Sequence, residues 1–146
     1  MRASGALLMM TLANPLAATE ASGRFTVALS ALPAAPGDTA QHRLDKQFSG
    51  DLAGSSSGVM LSAGDPGKGI AGYVAMEVVK ATLAGCSGGF ALQHSGTMDT
   101  SGQNLDVKIV PGSGTGALAG ITGTMTIRME GRDHFYTLSY ALPVSP

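Results

Sequence analysis

The chain has 146 residues, 44% of them hydrophobic and only 13% charged, with a formal net charge of -1. That length is enough for one domain to bury a core without help from metals or disulfides, and a single cysteine, Cys86, excludes an internal disulfide and a cysteine-based metal cluster. Scattered Lys and Arg, 5% aromatics and no tryptophan exclude the basic, aromatic-studded surface that nucleic-acid binding needs.

The chain opens with MRASGALLMMTLANPLAATEASG: one early Arg, an apolar run from Ala6 to Leu12, then small residues up to Thr19-Glu20-Ala21. This has the order of a short secretory signal with an A-x-A-like cleavage site. The expected division is therefore a signal peptide or disordered extension over residues 1–21 and one barrel domain over 22–146. A real signal places the mature protein in the periplasm or outside the cell; an uncleaved extension leaves it cytoplasmic. The apolar run is too short to span a bilayer, so no membrane insertion of the mature chain is expected.

From Arg24 onward, alternation of period two dominates. Phe25, Val27 and Leu29 alternate in RFTVALS, and Leu44, Phe48 and Leu52 share a parity in RLDKQFSGDL. GVMLSA is a short apolar run, and GIAGYVAMEVVKATL is a longer, β-branched one. GGFALQHSGTM sets Phe90, Leu92, His94 and Met98 on one face, and LDVKIV sets Leu105, Val107 and Ile109 together. ITGTMTIRME aligns Ile121, Met125, Ile127 and Met129; HFYTLSYALP aligns His134, Tyr136, Leu138, Tyr140 and Leu142. SSSG, GDPGKG, GCSGG and DTSGQ read as separators. Glycine, 21 residues in all, suits turns and bulges better than helices. The pattern predicts an all-β fold of about eight antiparallel strands, the number at which a barrel either just fills with side chains or holds one small ligand.

Between two of these strands lies VPGSGTGALAGITG, residues 110–123, which contains a formal GxGxxA match. A dinucleotide site requires a helix immediately after the glycines, whose N-terminal amides receive the pyrophosphate. Here Gly120, Gly123 and the alternating TMTIRM leave no room for one, and no Lys-Ser/Thr pair follows as a P-loop demands. The stretch reads as a strand connection, and no cofactor is expected.

The same stretch, with GYVAMEVV, GFALQHSGTM and HFYTLSYALP, resembles domain-of-unknown-function family 3224; DKQFSGDLAG and RFTVAL extend the resemblance from about Arg24 to Leu142. The resemblance implies a single eight-stranded antiparallel β-barrel, allene-oxide-cyclase-like and often dimeric, with no established activity. Two departures stand out. Leu29-Ser30-Ala31 occupies a place where the family would carry an aromatic, and Gly85-Cys86-Ser87-Gly88-Gly89-Phe90 lacks an expected arginine.

Six residues form the candidate ligand-binding set: Tyr73, Glu77, His94, His134, Tyr136 and Tyr140. Glu77 shares a parity with Tyr73, Ala75 and Val79, and a carboxylate among apolar neighbours is costly to bury unpaired. Turned inward it is a candidate acid or base, with His94 or Tyr136 as partner; turned outward it is an ordinary solvated residue. His94 is either a satisfied core histidine or a member of that site. His134, Tyr136 and Tyr140 either face the same lumen or form a dimer surface. No HExxH-like spacing suggests a metal, no nucleophile elbow surrounds Ser95 or Ser113, and the methionines read as core filler. The two functional expectations are a barrel that binds a small apolar molecule or serves as a structural homodimer, and a cofactor-independent isomerase or cyclase using Glu77.

Overall fold

A computed structural model describes residues 18–144. Nine strands follow one another: β1 (Thr19–Leu32), β2 (Ala40–Gly50), β3 (Leu52–Asp65), β4 (Ile70–Leu83), β5 (Cys86–Asp99), β6 (Gly102–Ile109), β7 (Thr115–Gly116), β8 (Thr122–Glu130) and β9 (Asp133–Ala141). All pairings are antiparallel. Their order, β4-β3-β2-β1-β9-β8-β6-β5, is closed by a β4–β5 ladder into an eight-stranded barrel, while the two-residue β7 pairs with the start of β5 at Gly88 and Gly89. Closure leaves the eight long strands without a free sheet edge, the usual liability of antiparallel sheets.

The expected strands are present, and several run beyond their hydrophobic pattern; β5 begins at Cys86 inside GCSGG and β6 at Gly102 inside DTSGQ, both expected to separate strands. β1 begins at Thr19, where Thr19, Glu20 and Ala21 pair with Tyr140, Ser139 and Leu138, and Ala21 is part of the core. The boundary expected between 21 and 22 therefore falls inside a strand, and the signal-like stretch up to Ala17 lies outside the described residues. SSSG, expected to separate strands, is the middle of β3 (Ser55–Gly58). Its serines hide the alternation. Ser56 points inward to a polar partner, and Gly58 lies so close to β4 that a Cβ there would meet Glu77 Cβ at 2.8 Å.

The interior is unevenly filled. One end is packed with Leu52, Leu83, Phe90, Leu92, Leu118, Ile121 and Leu138, each at most 1% exposed. Leu118 and Ile121 come from the glycine-rich β6–β8 connection, which bonds back to β5 through Ala117 N–H to Ser87 O at 2.9 Å and stoppers that end. Gly112, Gly116 and Gly120 take positive φ there, a conformation that side-chain-bearing residues avoid. The opposite end is open. On the outer wall, Val59, Leu61, Val74, Met76 and Val78 are exposed on adjacent strands, with Val59 opposite Met76 and Leu61 opposite Val74.

Candidate functional site

The registers of β2 to β5 place Lys46, Ser56, Glu77 and His94 at one level of the lumen, all buried. Glu77 is fully buried, and its carboxylate is well supplied with donors. Lys46 Nζ donates to Oε1 at 2.9 Å, His94 Nε2 meets the same oxygen at 3.0 Å, and Ser56 Oγ donates to Oε2 at 2.9 Å. Burial is the largest influence on this carboxyl and raises its pKa. The hydrogen bond with His94 and the charge of Lys46 outweigh it, so the group is held below its ordinary value. The Lys46 ammonium also sits over the rings of Phe25 and Phe48, at 4.7 and 5.9 Å from their centroids, which compensates part of its lost hydration.

From His94 the network runs toward the open end: its Nδ1 lies 3.4 Å from the hydroxyl of Tyr73. Tyr73 is paired with Gly96 across the β4–β5 ladder, and a Cβ on Gly96 would stand 2.6 Å from the ring. Only glycine lets the phenol lie flat across the neighbouring strand. Burial chiefly, and the negative charge of Glu77 next, raise the Tyr73 pKa, so the group is a neutral phenol at physiological pH.

Above this level a cavity of about 450 Å³ opens at the barrel mouth, within the range typical of small-molecule sites. Its wall is mainly apolar, with Leu29, Met60, Met98 and Leu105 beside Tyr73 and His42. Tyr73 is the one member of the buried network that lines it. His42 adds a ring nitrogen, Nδ1, that is buried without a hydrogen-bond partner among the described residues.

The structure thus brings together three of the six expected residues, Tyr73, Glu77 and His94. The other three lie elsewhere. Tyr136 is buried, and its hydroxyl accepts the Leu52 N–H at 2.8 Å and lies 3.0 and 3.2 Å from the carbonyls of Ser49 and Leu52, clamping the β2–β3 turn. His134 stacks on Phe25 with centroids 5.0 Å apart, and Tyr140 is packed into the core. Lys46, Ser56 and His42 were not among the expected residues. Lys46 carried a readable signal, since it shares the parity of Leu44 and Phe48 on an otherwise apolar strand face. His42 shares that parity too; Ser56 carried no such signal.

A family model described as a protein of unknown function (DUF3224) matches residues 21–140. Among solved structures, the chain is similar to a crystal structure of a protein with unknown function from the DUF3224 family of Shewanella oneidensis MR-1. That likeness has 41% identity and a TM-score of 0.80, covering 88% of this chain and 99% of the other. No curated protein matches the chain.

Proposed function

The chain belongs to the DUF3224 family of proteins of unknown function, and from that premise and the shape of its barrel we propose that it binds a small, largely apolar molecule in the mouth of the lumen. The observation that carries this reading is the 450 Å³ apolar cavity ending on a polar, half-buried tyrosine. Sites of that kind combine hydrophobic walls with few oriented polar groups. Native mass spectrometry of protein purified from its own host tests it, together with titration by a neutral fluorescent probe such as N-phenyl-1-naphthylamine. A retained small molecule or saturable probe binding, lost when Leu105→Trp fills the mouth, supports the reading; a protein that binds no probe and carries no guest overturns it. The same intact-mass measurement reads the N-terminus, and a shortened chain from the native host supports export.

The outer wall supports assembly into a homodimer as a second reading. Val59, Leu61, Val74, Met76 and Val78 form one apolar strip across two neighbouring strands, a kind of surface that marks interaction sites when contiguous. Light scattering coupled to size exclusion distinguishes the cases: a dimer that Val74→Lys with Met76→Lys converts to monomer supports it, and a native monomer at tens of micromolar overturns it. The isomerase or cyclase alternative draws support from the Tyr73–His94–Glu77 chain. Glu77 itself is walled off from the cavity, so a proton would have to reach a guest through Tyr73.

A further inference from the structure

The direction of the hydrogen bonds in the buried network determines what the cavity can recognise. Lys46 and Glu77 form an ion pair at 2.9 Å, so the carboxylate only accepts. His94 Nε2, at 3.0 Å from it, must therefore carry a proton. The charges of Lys46 and Glu77 already cancel, and a third charge on His94, which is 3% exposed, would stand uncompensated in the interior. With the proton on Nε2 directed at Glu77, the other ring nitrogen, Nδ1, is left to accept. In that tautomer the Tyr73 hydroxyl, 3.4 Å away, is the donor to Nδ1. What remains free on Tyr73 is oxygen lone pairs, so the network presents an acceptor to the cavity, not a donor.

We propose that the mouth cavity selects apolar molecules ending in a hydroxyl group, whose O–H donates to the Tyr73 oxygen, over the matching carbonyl compounds. This rests on the ligand-binding reading above. A guest alcohol extends the series O–H to Tyr73, Tyr73 to His94, His94 to Glu77, each bond polarising the next in a low-dielectric interior. A guest ketone offers only lone pairs. To bind it, Tyr73 must turn its proton away from His94 and leave Nδ1 buried and unpaired, a cost of the kind that makes polar sites reject analogues lacking the right group.

The test is displacement of N-phenyl-1-naphthylamine from the full chain by 2-decanol and by 2-decanone, which share a carbon skeleton. The alcohol is expected to displace at roughly five- to tenfold lower concentration, the worth of one buried hydrogen bond. Tyr73→Phe is expected to bring the ratio to about one, in a protein whose far-ultraviolet circular dichroism still shows the folded barrel and whose melting point falls by the loss of one buried hydrogen bond. Equal potency in the native protein, or preference for the ketone, overturns hydroxyl selection while leaving the ligand site standing. A preference that survives in Tyr73→Phe overturns the role given to Tyr73. Failure of the probe and of both competitors to bind overturns the site and this inference together.

Discussion

Glu77 shows how a single residue can be costly and indispensable at once. Alone, a carboxylate at zero exposure would be driven to its neutral form; with Lys46, His94 and Ser56 around it, the ionised form is the favoured one. Removing one partner is worse than removing both. Glu77→Gln leaves the Lys46 ammonium buried against Phe25 and Phe48 without a counter-charge, and is expected to cost about 3–5 kcal/mol in urea unfolding. Acid should act on the same group. Because the folded carboxyl titrates below its ordinary value of 4.5, the unfolded chain binds the proton more readily. Its contribution is therefore complete above that value and fades as the pH drops through the lower, folded one. Melting temperatures measured across that acid range should fall more steeply for the native chain than for Glu77→Gln. The sequence revealed Glu77 and His94 as polar residues on apolar strand faces, but not which way those faces turned. That answer depended on β2 supplying a lysine and β3 a serine, partners 31 and 21 positions away in the chain.

Among the strands, alternation was legible wherever one parity is apolar and the other polar, as in LDVKIV and HFYTLSYALP. It failed where the inward residues are themselves small or polar. In β3 the inward set includes Gly54, Ser56 and Gly58, whose close approach to β4 replaces side-chain bulk, so the pattern resembled a linker. It failed also in β1, whose first turn of pairing, Thr19 to Ala21, lies in a stretch with the composition of a leader. This fixes where a processed chain can begin without loss. A protein starting at Ser22 lacks three residues paired with β9 and the buried Ala21. Compared with one starting at Thr19, it should melt roughly 3–6 °C lower by calorimetry, the shift expected for about 1 kcal/mol in a domain of this size.

Taken whole, the barrel is two different materials in one ladder. The stoppered end is a dry hydrocarbon core, and the middle is an ionic layer; toward the mouth Leu29 and Leu105 stand 54% and 41% exposed. Local stability should follow that gradient, because regions with few buried apolar contacts open first. Amide hydrogen exchange is expected to reach Gly96–Asp99 of β5 and Gly102–Leu105 of β6 well before Phe90–Leu92 and Val107–Ile109 on the same two strands. Uniform protection along both strands would contradict it. This gradient was invisible in the sequence, where both halves of β5 and β6 carry the same alternation. It arises only from closure of the ring and from which loop folds across which end.

The glycine-rich connection that stoppers the barrel turns a tube into a cup. A guest in a tube can be pushed through by the next; in a cup, arrival and departure share one rim. Under the proposed ligand-binding reading, exchange of one guest for another would have to wait for the first to leave by that rim. Loosening the stopper far below would then alter how long the protein survives, and not the route by which a guest of the proposed site would leave.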